Sequence, residues 1–312
     1  MKTLIKITFV LVLTLGSLTI NAQQVPMFTN YMYNTLMVNP AYAGSRDALT
    51  VTALYRSQWV DFEGAPVTQT ITMHMPLKNK HIAIGLSVLN DKIGPVNNTS
   101  VFVDYAYIMQ LTAKSKLSLG VSVGADMFQA NLNTLQLDQQ TDPVFMNNIN
   151  NHVTPNFGFG AYYSRAHFYA GISVPELLQN SYALNPSDAN NLIGKQQRNY
   201  FFIMGSMLEL SNNLDFKPTM LIKETPAVPL EADLTASFII AKRLLLGAMY
   251  RTGDSFGALV GLDILPQLHI GYSYDWSFGL KTFTYNQGSD EIFLRYDFIS
   301  VDQRQIHSPR YF

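Results

Sequence analysis

From Ala48 onward the chain alternates oily and hydrophilic side chains at every second position, segment after segment. Nowhere beyond its first residues does it hold an apolar run long enough for a membrane helix. A period of two belongs to strands with one apolar and one polar face. In the stretch from Lys80 to Asn90, Ile82, Ile84, Leu86 and Val88 fall on one side and Ala83, Gly85 and Ser87 on the other. From Leu117 to Phe128, Leu119, Val121 and Val123 oppose Ser118, Gly120 and Ser122, and the stretches 230–238 and 268–276 repeat the rhythm. Such segments begin near Ala48, Pro66, His81, Thr99, Lys116, Val153, His167, Tyr200, Leu214, Pro229, Arg243, Ser255, Gln267 and Asp290, which predicts about fourteen strands. The expected fold is all-β: an antiparallel transmembrane β-barrel, whose closure satisfies every backbone polar group in lipid.

A soluble sandwich would alternate as well, but its polar face meets bulk water and is usually rich in Lys and Glu. Here that face is mostly Gly, Ser, Thr and isolated carboxylates, and only 14% of residues are charged against roughly 25% in globular chains. That composition suits a confined interior. Aromatics near segment ends, namely Tyr105 and Tyr107, Tyr162 and Tyr163, Tyr200 to Phe202 and Tyr272 to Trp276, read as interfacial girdles. A formal net charge of -1 with interspersed signs offers no footprint for nucleic acid. Residues 1–22 read as a cleavable signal peptide: Lys2 and Lys6 precede an apolar core, Ile7 to Leu15, and small or polar residues lead to Ala22. With no cysteine, an exported chain relies on burial or a closed sheet for its stability. The expected organisation is a plug over 23–46, a barrel over 47–299, which places the protein in the outer membrane, and a tail over 300–312. Two long breaks, Ala130 to Asn151 and Glu176 to Arg198, read as irregular loops, either extracellular surfaces or spacers without a partner.

Catalytic signals are weak. Gly120-Val-Ser122-Val-Gly124 has the letters of a nucleophile elbow but sits mid-strand, where that motif's strand-to-helix turn is missing. Six scattered histidines show no metal-ligand spacing, and no glycine loop for a phosphate or dinucleotide is present, so no cofactor, metal site or enzymatic activity is expected. His269 with Ser273 is the one crude hydrolase pair, and it is too far apart along a strand to share a proton. The charges on polar faces include Arg56, Asp104, Asp126, Glu231, Asp233, Arg251 and Arg295, with Asp263, Asp275 and Asp297. They point inward, either as a paired network that closes the lumen or as a solvated wall.

The stretch NYMYNTLMVNPAYAG, Asn30 to Gly44, is amphipathic yet uncharged. Phe28, Tyr31, Met32, Thr35 and Leu36 share a stripe of a short helix, which Asn39-Pro40 ends because the residue before proline is pushed out of the helical region. A polar lumen suits such a segment better than water does, so it reads as an inward-folded plug; the other reading is a periplasmic tail that folds on a partner. These residues also carry a resemblance. Gln24-Val-Pro26-Met-Phe28, the NYMYN run with Tyr31, Asn39-Pro40-Ala41-Tyr42-Ala43-Gly44, Tyr55-Arg56-Ser57-Gln58-Trp59, Gly64-Ala65-Pro66-Val67-Thr68 and the closing Arg295-Tyr296-Asp297-Phe298 resemble the PorP/SprF family of the Bacteroidetes type IX secretion system. Asp290 departs from the His that relatives commonly carry there. The resemblance implies a non-catalytic outer-membrane barrel that binds, secretes or anchors a protein bearing a type B C-terminal sorting domain, such as a gliding adhesin, alongside other secretion components. The alternative is a channel or hydrophobic-solute transporter gated by the plug.

Overall fold

The computed structural model describes residues 26–134, 148–183, 192–278 and 286–299. The expected signal peptide, the tail and the middles of both long breaks lie outside them. The first strands are β1 (Leu49–Ser57), β2 (Val67–Pro76), β3 (Ile82–Ile93), β4 (Val96–Thr112), β5 (Ser115–Ala130), β6 (Ile149–Arg165) and β7 (Phe168–Val174). A short loop hairpin follows, β8 (Ser181–Ala183) with β9 (Leu192–Lys195). Then come β10 (Tyr200–Ser206), its continuation past Met207 as β11 (Leu208–Ser211), β12 (Leu214–Glu224) and β13 (Glu231–Ile240). The last are β14 (Leu244–Arg251), β15 (Ser255–Leu265), β16 (Leu268–Ser277) and β17 (Ser289–Phe298).

Each barrel strand pairs antiparallel with its neighbours, β17 returns onto β1 from Leu49↔Phe298 to Ser57↔Asp290, and β7 and β12 both flank β10. Setting aside the loop hairpin and counting β10 with β11 as one interrupted strand leaves a closed barrel of fourteen. Closure leaves no sheet edge. The predicted strand starts hold to within a few residues; the largest departure is β6, which begins at Ile149 rather than Val153.

The period-two faces separate cleanly. On β2, Thr70, Thr72 and His74 are buried while Ile71 and Met73 are exposed, and on β4 Val103 is 57% exposed between buried Phe102 and Asp104. A closed sheet with its apolar face outward must meet lipid there. Tyr250, Phe256, Trp276 and Phe278 stack into one outward cluster, with Phe256 and Trp276 centroids 5.3 Å apart, as an interfacial anchor would. Two expected girdle residues do otherwise. Tyr162 and Phe201 occupy inward positions of β6 and β10 and are buried in the lumen, Tyr162 stacked on Tyr169 at 5.6 Å. Strand parity, rather than nearness to a strand end, decides the face of an aromatic ring.

The connections differ by end. At the end where β1 starts, turns are short, as at 113–114, 166–167 and 266–267; the opposite mouth carries both long breaks and the 58–66 and 278–288 connections. The second break is less irregular than expected, because it holds the β8–β9 hairpin and sends Glu176 and Gln196 back toward the lumen.

Residues 27–47 fill the interior. The expected helix shrinks to one turn, α1 (Thr35–Val38), preceded by turns and followed by a 3-10 turn, Pro40–Tyr42. The reason lies in where the backbone donors go: Thr29 and Asn30 give their N–H groups to Glu291, and the following contacts, Tyr33 N–H to Asn30 O at 2.9 Å and Asn34 N–H to Tyr31 O at 3.1 Å, close four-residue turns. Asn39 is extended at φ -144°, as a residue before proline should be.

Candidate functional site

The lumen and its occupant form the site. Glu291, fully buried on β17, accepts from Thr29 N–H at 2.9 Å, Asn30 N–H at 2.7 Å and the Asn30 side-chain amide at 2.9 Å. One carboxylate thus pins the start of the plug. Tyr31, fully buried, exchanges a 2.9 Å hydrogen bond with Thr219, and burial holds its phenol well above its ordinary range. Phe28 and Leu36 face a cavity on the mouth side, Tyr42 meets the edge of the Tyr162 ring at 5.4 Å, and Gly44, at φ +74°, donates to His74 Nδ1 at 3.1 Å.

The Asn39-Pro40 corner rests on glycines. Asn39 donates through Nδ2 to the carbonyls of Ala161 at 3.1 Å and Ile172 at 3.3 Å, and its Oδ1 accepts from Ala41 N–H at 2.9 Å. Gly120 and Gly160, directly opposite each other on β5 and β6, make the space; a methyl group at Gly120 would overlap the Ala41 backbone, and one at Gly160 would overlap the Asn39 amide. The sequence marked Gly120 as a small residue of a polar face and did not single out Gly160. Their partner, the plug backbone, is distant in the chain and left no signal.

The predicted inward charges do reach the lumen, but in separate groups. Arg56 bonds Asp275 at 2.8 Å and Glu291 at 3.2 Å, and also donates to Thr29 Oγ1 at 3.0 Å, so it joins wall and plug. Arg251 holds Asp233 through two 2.8 Å bonds and lies 3.5 Å from Glu231, which pairs with Lys223 at 3.1 Å. Arg295 sits over the Tyr33 ring at 4.9 Å with Lys217 at 5.0 Å, and that ring stacks on Phe293 at 4.3 Å. Burial pushes the Tyr33 phenol up to about 12. Near the short-turn end, Arg46 of the plug grips Asp297 in a two-bonded pair at 3.0 and 2.7 Å. Sequence reasoning missed Glu291, Arg46, Lys217 and Lys223 as members; Glu291 was legible as an inward position of β17, opposite Arg56 in register.

Asp104 and Asp126 belong to none of these ion pairs. Asp104 accepts from Ser87 at 3.3 Å, and Asp126 from Ser100 at 2.5 Å and from the Gln196 amide at 3.3 Å. Gln196 also donates to Glu176, so one amide bridges two carboxylates. Burial, and then the neighbouring Asp126, push the Glu176 carboxyl up to about 8. His269 bonds Asp263, whereas Ser273 accepts from Asn30 at 3.0 Å, so the crude hydrolase pair is not assembled. Among the described residues no three His, Asp or Glu converge as metal ligands.

A barrel with an apolar exterior and a folded-in N-terminal plug narrows the comparison to membrane proteins, and the sequence model described as "Type IX secretion system membrane protein PorP/SprF" matches residues 20–296. The chain belongs to the PorP/SprF family. No curated protein matches it. Among solved structures, the Acinetobacter baumannii outer membrane protein Omp33 aligns with a TM-score of 0.46 at 10% identity, covering 81% of this chain and 99% of that one. The CymD monoaromatic hydrocarbon channel aligns with a TM-score of 0.47 at 11% identity over 86% and 93%. The NanC porin gives 0.42 at 9% over 81% and 100%. Most of the PorP/SprF motif residues quoted above that lie within the described residues fall in the plug, in β1 and the connection after it, or in β17, while Val67 and Thr68 begin β2. Plug, β1 and β17 are joined through Arg56, Glu291 and Asp297.

Proposed function

We propose that this PorP/SprF barrel is a non-enzymatic outer-membrane accessory of type IX secretion. It binds an exported protein carrying a type B C-terminal sorting domain at its extracellular mouth, and holds that protein at the surface or escorts it from the translocon. The long-loop end is the extracellular one, following the usual asymmetry of outer-membrane barrels. The observation that carries the reading is the occupied lumen: residues 28–46 are tied to the wall by Glu291, Arg56, Asp297 and Thr219. A barrel so filled offers partners its mouth rather than a pore. Binding energy then does the work without chemistry, through loop aromatics such as Phe62, 42% exposed beside Trp59, and through backbone hydrogen bonds.

Crosslinking in native membranes followed by pull-down tests this. Recovery of a type B domain protein, together with secretion components, is the expected result; recovery of neither removes the reading. A movable plug over a solute channel is the competing function, and planar-bilayer conductance separates the two. An accessory barrel is silent at rest, and solute-dependent opening with the plug intact would favour transport.

A further inference from the structure

One arginine of the lumen stands apart from the rest. Arg46, Arg56 and Arg251 each hold a carboxylate, at 2.7, 2.8 and 2.8 Å. Arg295, on β17 and only 3% exposed, holds none: among the described residues its guanidinium makes neither an ion pair nor a hydrogen bond, and its Nε is buried without an acceptor. The carboxylates of its neighbourhood are already engaged. Asp297 meets Arg46 through both oxygens and also accepts from Thr50 at 2.7 Å, while Asp263 is bonded to His269. A buried guanidinium without an anion is costly to keep.

A second cation comes to the same place. Arg295 Cζ lies 4.9 Å and Lys217 Nζ 5.0 Å from the centre of the Tyr33 ring, which stacks on Phe293. One small anion beside that ring reaches both. The surrounding charges favour it: Arg46, Arg295 and Lys217 face Asp263 and Asp297, and Asp215 is answered by Lys242, which leaves at least one positive charge over. Water has a way in as well. Tyr33, Ile239 and His269 are part-buried rather than sealed, the Asp263 side chain is 38% exposed, and a Cβ on the inward Gly261 would meet nothing closer than 3.4 Å.

We propose that Arg295, Lys217 and the Tyr33 ring form a binding site for a carboxylate on the short-turn side of the plug. The planar fork of Arg295 takes the two oxygens side by side, and the Lys217 ammonium adds a further donor. A single negative charge answers the surplus. Because Tyr33 belongs to the plug and both cations to the wall, the bound carboxylate ties one to the other. The site goes beyond the function proposed above and does not depend on the secreted partner.

Thermal unfolding of the purified full-length barrel in detergent, read by heat-modifiable migration on gels, tests the site together with hydrogen exchange at 31–36. The probes are benzoate, its neutral counterpart benzamide and inorganic phosphate. Benzoate should raise the unfolding temperature saturably and slow exchange at 31–36, and benzamide should do neither. Lys217→Met should weaken the benzoate effect about tenfold, and Arg295→Gln should abolish it. Since Arg295 has no ion pair to lose, Arg295→Gln without added carboxylate should unfold at the wild-type temperature or above it, whereas a guanidinium kept only for its packing on Tyr33 would leave the variant less stable. Equal effects of benzoate and benzamide, phosphate acting at the benzoate midpoint, an unchanged midpoint in folded Arg295→Gln, or a less stable Arg295→Gln barrel overturns the proposal. A pentapeptide with a free C-terminus that reproduces the effect, where its amidated form does not, assigns the site to a chain end; benzoate acting where both peptides fail assigns it to a small free carboxylate.

Discussion

Replacing Glu291 by alanine should unseat the start of the plug while leaving the barrel closed. The carboxylate accepts three bonds from Thr29 and Asn30 and a fourth from Arg56 at 3.2 Å, all out of contact with water. A hydrogen bond to a charged group contributes about 1.5–3 kcal/mol, but four bonds to one carboxylate do not add. Loss of one partner from a buried ion pair costs about 3–5 kcal/mol, and since Arg56 keeps Asp275 the lower half of that range applies, about 3–4 kcal/mol. At 1.4 kcal/mol per factor of ten, the closed-to-open equilibrium of residues 29–34 shifts by about 100- to 1000-fold. Hydrogen exchange read by mass spectrometry on peptides covering 26–36 should accelerate by that factor, while exchange in β1 and β17, whose ladder is untouched, stays slow. Glu291→Gln keeps one accepting oxygen and should show a smaller effect. A heat-modifiable, folded Glu291→Ala barrel whose 26–36 peptides exchange at the wild-type rate would refute the assignment of this carboxylate as the plug's anchor.

Gly120→Val should displace the Asn39-Pro40 corner, since the added side chain meets the Ala41 backbone; fast exchange at 36–44 in a folded barrel is the expected readout. Arg251→Ala leaves Asp233 and Glu231 buried beside Lys223 alone and should destabilise the barrel by about 3–5 kcal/mol, measured by urea titration in detergent.

The alternation of side chains along the chain determined a great deal: strands, their number, which face is apolar, and so a closed cylinder in a membrane. Each of those follows from local parity, which a single sequence displays at every position. The motif residues sufficed for the family. Pairing across the ring was decided only by the tertiary structure. Parity places Arg56, Asp104, Asp126 and Arg251 inside, but whether an inward charge meets a cation, a hydroxyl or the plug depends on register and on what crosses the lumen. Arg56 therefore found Glu291 and Asp275, while Asp104 found only hydroxyls. The same holds for Tyr31, whose phenol reaches Thr219 across 188 residues of chain, and for Gly120, whose missing side chain is explained by a plug backbone that no local pattern reveals. Contacts between distant segments are set by closure, and closure is a property of the whole sheet.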